Sequence, residues 1–349
     1  APTGWTLAGP LLGTPTIATP MLNVTGNVTI SNSTFNFSDV GGLANGIYRL
    51  FNYTGSLVYG GANPGIFPAD VVLGQITLSL DSVAKTANIV VNSPALSTQY
   101  WDGNTSLANG SVDGGSGIWH TANTNWTKST GASNDVWKGV SAVFQAASGT
   151  VFIEGTQNVS ALQFKSDGYG LIAGTAGGLN LVNGTGGAAV VTVDSNVAAR
   201  IEAPLSGTGK LQKSGAGTLI LAGSNSYSGG TTLSAGTLVL RHDSALGSSA
   251  LRLASGTTLR ADNSDVQLSN DVALTGVSNI AAEGTTRLAL NGVVSGAGGL
   301  VKIGTGNLEL NGNNAQLGNT WLNAGGLVLG SSTALGSGAL NTANNTTLD

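Results

Sequence analysis

Cysteine is absent from all 349 residues. Disulfides, thiolate zinc sites and cysteine nucleophiles are therefore excluded. Histidine occurs only as His120 and His242, which leaves little from which to build a Ser–His–Asp triad. Charged residues make up 9% of the chain, against about 25% in an ordinary globular domain. The 13 Lys and Arg never form a run, and the formal net charge is −4. A nucleic-acid binder needs a basic stripe, so that class of partner is excluded. No apolar run reaches the roughly 18 residues of a membrane-spanning helix. Long helices are not expected either, because Glu and Lys are scarce and Gly disfavours helix interiors.

The sequence is rich in glycine, with 54 residues, and 41% of it is hydrophobic. Ser, Thr, Asn and Gly supply uncharged polarity in place of charge. This composition fits many short strands joined by Gly- and Asn-rich turns.

The strongest signal is an internal repeat. Ser206–Arg260 aligns without a gap on Ser295–Asp349, at a constant offset of 89, and roughly half the positions are identical. Leu219 and Leu221 match Leu308 and Leu310, while Ile220 between them becomes Glu309. That is strand alternation, with two side chains facing a core and one facing solvent. Leu238 and Leu240 repeat the pattern and match Leu327 and Leu329. Kept glycines, such as Gly215, Gly229 and Gly236, fall in the gaps where positive φ or close backbone approach is needed. Asn225 matches Asn314, and Asn suits such turns.

Further short strands are read at Leu251–Leu253, Val266–Leu268, Val272–Leu274 and Leu288–Leu290. Strands this short cannot bury a face alone and must stack. Leu219, Leu238 and Leu259 lie near 20 residues apart, which suits one coil of a three-faced β-solenoid; the offset of 89 is then about four coils. The expected fold is all-β, an elongated right-handed parallel β-helix, a rod of roughly 75–80 Å at about 4.8 Å per coil. A β-sandwich is the rival, disfavoured because the repeat is one-dimensional and its inward positions are uniformly Leu, Val or Ala. Three regions are expected: N-terminal coils with an irregular start over 1–99, a Trp/Gly-rich lead-in over 100–200, and two repeat copies in continuous β-helix over 201–349. Pro2, Pro10, Pro15 and Pro20 mark the irregular start, and Val24 to Phe37 reads as further strands.

The residues Leu211, Lys213, Gly215, Gly217, Thr218, Leu219, Leu221, Gly223, Asn225, Tyr227, Gly229, Gly230, Thr231, Gly236, Thr237 and Leu238 resemble the autotransporter-associated β-strand repeat. The second copy departs from it at Asn307, Gln316 and Asn319 and looks decayed. Tyr100-Trp101-Asp102-Gly103, Trp119, Asn125-Trp126, Ala142–Phe144, Val151–Gly155 and Leu162–Phe164 resemble that family's lead-in, and Gly46–Gly55 resembles the tail of a preceding module. The resemblance implies a pertactin-like passenger of type V secretion, exposed at the bacterial cell surface and exported through the outer membrane by a C-terminal β-barrel of the same parent chain. It implies a structural stalk or adhesin rather than an enzyme, with host or neighbouring-cell surface molecules, glycans among them, as partners. No cofactor is expected. The lack of thiols suits transit of the periplasm unfolded. Ala1 in place of Met, and an end inside a repeat, suggest a processed or excised segment whose ends could self-associate.

Other chemistry is weighed against a structural reading. A polysaccharide lyase or glycosidase on one face would need clustered acids. The four Glu, at 154, 202, 283 and 309, are separated, and the densest charged region is Arg241, Asp243, Arg252, Arg260, Asp262, Asp265 and Asp271. A trypsin-like G-D-S-G is missing; Asp113–Gly117 holds its letters in another order. Asp102, Asn104, Ser106 and Asp113 loosely follow calcium-loop spacing, but Leu107 stands where Gly is required, and no metal site is assigned. Trp101, Trp119, Trp126 and Trp137 are either candidate surface-contact residues or a local core. Asn-x-Ser/Thr sequons, as at Asn23 and Asn52, are frequent by composition, and there is no Arg-Gly-Asp.

Overall fold

The computed structural model describes residues 4–7, 16–17, 22–30, 33–37, 46–59, 62–63, 76–91 and 98–349 except 140 and 185. Every regular element among them is a β-strand, in keeping with the glycine content and the scarcity of Glu and Lys. Two compact units are present, Ala1–Leu96 and Ser97–Asp349. The four prolines of the irregular start lie outside the described residues.

In the first unit, Gly4–Leu7 pairs parallel with Ser33–Phe37, and Thr16–Ile17 and Leu22–Val24 pair parallel with Gly46–Tyr53. Val28–Ile30 pairs parallel with Leu57–Tyr59. Gly46–Tyr53 then continues antiparallel to Thr86–Val91, which pairs antiparallel with Ile76–Asp81. Parallel coils and one antiparallel hairpin thus share a sheet.

The second unit is a parallel β-helix. One face is a 12-stranded sheet and the next an 11-stranded sheet. The third face carries Thr156–Val159, Gly178–Leu181 and Leu205–Ser206, then no strand until Val266–Leu268, from which five strands run to the end. Leu211, Thr231, Leu251, Val272 and Val294 are register partners on successive coils, so a coil here takes 20 to 22 residues. The parallel ladders exclude the sandwich, in which antiparallel sheets would face each other.

Alternation sets the core. On the second face Leu219, Leu238, Leu259 and Ile280 stack in register, and Leu221, Leu240, Ala261 and Ala282 form the adjacent column. All eight are buried, whereas Ile220 is partly exposed. On the third face Leu288, Leu308 and Leu327 form the equivalent column. Each buried Leu or Ile contributes about 1.5–3 kcal/mol against leaving it in water. At the corners the kept glycines are required: Gly215 has φ 74°, and a Cβ there would lie 2.2 Å from the Val193 carbonyl oxygen.

The two repeat copies do not sit on the same faces. Leu211–Ser214 and Thr218–Leu221 occupy the first and second faces, but their counterparts Leu300–Ile303 and Asn307–Leu310 occupy the second and third. The offset of 89 is therefore four coils plus one face. The repeat encodes a corner with its two flanking strands, and the three-faced coil accepts that corner at two different vertices.

Candidate functional site

The tryptophan cluster lies inside the second unit. Trp101, Trp119 and Trp126 are wholly buried and Trp137 is 9% exposed. Ring centroids are 5.1 Å apart for Trp101–Trp126, 4.7 Å for Trp119–Trp126 and 4.5 Å for Trp126–Trp137. The cluster passes into a Phe144–Phe164 stack at 5.0 Å and Tyr169. The chain gets there by an antiparallel excursion: Gln99–Trp101 is covered by Trp126–Thr127, and that strand by Asn134–Asp135. The surface-contact reading of the four tryptophans is corrected accordingly. A glycine-rich first coil has too few aliphatic side chains to fill the bore, and the indoles fill it instead.

The charged region is engaged structurally. Arg241 Nε meets Asp262 Oδ1 at 2.7 Å, Arg260 reaches the same carboxylate at 3.2 Å, and Arg287 binds Glu309 at 3.0 Å. Asp243, Asp265 and Asp271 each accept a hydrogen bond from a backbone N–H of the following coil, at Gln267, Arg287 and Val293. These carboxylates tie one coil to the next. Both histidines accept a backbone N–H two residues on, His120 from Ala122 and His242 from Ser244, and so close their own turns. In the loose calcium-like segment, Asp102 is buried and accepts from the Asp113 N–H at 2.7 Å and the Asn134 amide at 2.8 Å. No group of three or more His, Asp or Glu able to hold a metal occurs among the described residues.

The repeat positions form the scaffold. Asn225 accepts from the Leu205 N–H at 2.8 Å and donates to the Ala245 carbonyl at 2.7 Å, bridging three coils. Asn314 does the same between Val294 and Ala334. Gly229 is fixed by proximity, since a Cβ would lie 2.4 Å from the Gly209 backbone.

Two scaffold positions, Lys213 of the repeat motif and its counterpart Lys302, take an inward place that the motif alone does not reveal. Lys213 and Lys302 face inward, each stacked between apolar residues: Val191 and Leu233, and Ile280 and Leu322. Lys213 Nζ donates to the carbonyls of Ser214, Gly215 and Ala235 at 2.8, 2.8 and 3.2 Å. Lys302 Nζ donates to Ile303, Gly304 and Ala324 at 2.9, 2.7 and 3.0 Å. An ammonium has three donors, and here all three are matched to carbonyls of two successive corners. Burial pushes both groups down to about 8, with Glu283 pulling Lys302 back upward. The Leu-x-Lys alternation at 211–213 and 300–302 was the available signal.

Among the tryptophans with described side chains, Trp321 stands apart from the cluster. It lies between the buried Thr320 and Leu322 on the second face and points outward, partly exposed.

With this geometry in hand, comparison with known proteins is informative. The family model described as passenger-associated-transport-repeat matches residues 211–240 and 300–329, the two corner-and-strand segments with the caged lysines. The chain is also 35% identical over 310 residues to the adhesin BmaC autotransporter of Brucella suis biovar 1 (strain 1330). The match covers 84% of this chain and 9% of that protein, so the chain spans about a tenth of its relative's length. No solved structure matches.

Proposed function

We propose that this chain, which is a segment of an autotransporter passenger, serves as a structural stalk with adhesive faces in cell-surface or cell–cell attachment. Passengers are exported through the outer membrane, which puts the segment at the cell surface. The observation that carries the reading is the match to an adhesin along 84% of the chain. The fold supports it. Coil-on-coil stacking of Leu, Val and Ala makes a self-supporting column whose outward side chains are free to vary. Partners on this reading are surface molecules of host or neighbouring cells, the C-terminal barrel of the parent chain, and other copies of the chain.

A carbohydrate-active enzyme is the alternative from another class. Its candidate acids at 241–271 are held in ion pairs and coil-to-coil hydrogen bonds, so no observation favours it. Display of the chain on a non-attaching bacterium, fused to a carrier barrel, tests the adhesive reading. Attachment to cultured cells, or clumping, should rise above the barrel-only strain. No rise in either, together with turnover of a polysaccharide, would transfer the case to the enzyme.

A further inference from the structure

Several of the differences between the two repeat copies fall together in one place. Lys210, Gly230, Thr232, Ser234 and Arg252 of the first copy become Gly299, Asn319, Trp321, Asn323 and Asn341 in the second. These residues converge on the outward side of the second face. Val301, Trp321 and Asn341 are register partners on successive strands. Asn319 and Asn323 flank the Trp321 strand, and both are exposed, as is Asn341.

The indole lies across Gly299, where a Cβ would come within 2.6 Å of the Asn319 carbonyl oxygen and 2.8 Å of the indole Cζ3 atom. Any side chain there, such as the lysine of the first copy, would press on both the ring and the Asn319 backbone. The exchange of Lys210 for Gly299 and of Thr232 for Trp321 is therefore one change made in two parts. The same outward row runs back through the aliphatic Val301 to Asn279, Thr258 and Thr237, the last three a ladder of amide and hydroxyl groups at about 4.8 Å steps.

Charge narrows the ligand. Residues 295–349 contain Lys302, Glu309 and Asp349 as their only charged side chains. Lys302 is caged inside, and Glu309 is paired with Arg287. The two cations that the first copy has at this patch, Lys210 and Arg252, are gone. An aromatic face beside uncharged amides suits a ligand with an apolar C–H face and many hydroxyls. The ring covers the C–H groups, the Asn323 and Asn341 amides can both donate and accept, and Asn319, whose oxygen accepts from the Ala339 N–H at 3.0 Å, presents its NH2. The remaining charge, Asp349, follows the third-face strand Thr347–Leu348, so residues 295–349 offer an acidic or basic partner no unpaired opposite charge on the second face.

We propose that this face, centred on Trp321, is a binding platform for uncharged glycans. The proposal deepens the adhesive reading and rests on it for its biological setting. The test exposes the full chain to immobilised neutral oligosaccharides ending in galactose, mannose or N-acetylglucosamine, beside sialylated and sulfated ones. Attachment of chain-coated beads to cultured cells is measured in parallel. Trp321→Thr and Gly299→Lys each install the residue that the first copy carries at the matching repeat position, and far-UV circular dichroism confirms their fold. The chain should bind at least one neutral class, both variants should bind it about tenfold more weakly or worse, and bead attachment should fall with them. Binding only to acidic glycans, binding to none, or unchanged binding by both variants overturns the platform. If variant beads attach as well as the parent, the platform fails and adhesion stands. If neutral glycans bind through Trp321 but no beads attach, the platform stands and the adhesive reading falls.

Discussion

At the residue scale, the least expected feature is a lysine inside an aliphatic column. A buried charge without partners would be untenable, and the structure answers with three carbonyls per ammonium. The consequence is a pH dependence with a definite sign. Lys213 and Lys302 are held at about 8, against 10.5 for a free lysine. Between those values the unfolded chain binds more protons than the native one, so stability rises with pH. Below about 8 both states are protonated and the penalty is constant. The upper end of the window is set by Tyr169 and Tyr227, whose burial pushes their phenols up, Tyr169 to about 12. Unfolding releases those protons above about 10 and reverses the sign. Urea midpoints should therefore climb from pH 8 to pH 10, by about 1 kcal/mol or more per lysine. A Lys213→Met, Lys302→Met double variant should be flat across that range. A parent that is equally flat would show that the amines are not desolvated.

At the element scale, strands were legible and their surroundings less so. Period-two alternation at Leu219–Leu221 or Leu308–Leu310 fixes which side chains face inward, because a strand side chain has only two directions. The tryptophan excursion offers no such period. Trp126–Thr127 is two residues long, and which way its indole points is decided by the strand it pairs with, not by local sequence. The rotation of the repeat by one face was hidden for a related reason, since the identity of a face depends on the summed lengths of all intervening corners. The decay of the second copy, in contrast, was visible and now has a physical content. In the first copy Tyr227 and Thr231 share a hydrogen bond of 2.6 Å. In the second, Gln316 is fully buried and both its amide atoms lack a protein partner, as does the Thr320 hydroxyl. Such groups cost about 1–3 kcal/mol each. The space for a ring persists, because Gly247, which lies against Tyr227, is matched by Gly336 against Gln316. Gln316→Tyr should therefore raise the urea midpoint by the equivalent of about 1 kcal/mol or more, and Gln316→Phe, which leaves Thr320 unpaired, by less. A loss of stability in the Tyr variant would mean that the second corner has closed around the smaller side chain.

At the scale of the whole second unit, the central problem of a solenoid is its ends. Each terminal coil offers unpaired N–H and C=O groups and an open bore, and an uncovered end templates further stacking. The N-terminal end of Ser97–Asp349 is built against this. Its 12-stranded sheet terminates in the two-residue strand Asn134–Asp135, set antiparallel to Trp126–Thr127. Four indoles close the bore above Phe144. Trp101 is further anchored by its Nε1–H, which donates to the Gly115 carbonyl at 2.8 Å. Short edge strands and an aromatic plug are what a terminal cap requires, so residues 97–349 should fold without residues 1–96. A fragment of residues 97–349 should melt in one cooperative transition with its tryptophan fluorescence blue-shifted, as buried indoles require. A fragment starting at residue 141 removes the cap and exposes Phe144, Phe164 and the parallel edge of Ser141–Phe144. It should elute in larger assemblies on light-scattering chromatography and bind thioflavin. If the two fragments are equally monomeric, the tryptophans are filling and not a cap; if the longer one fails to fold, the first unit supplies what the excursion was thought to provide.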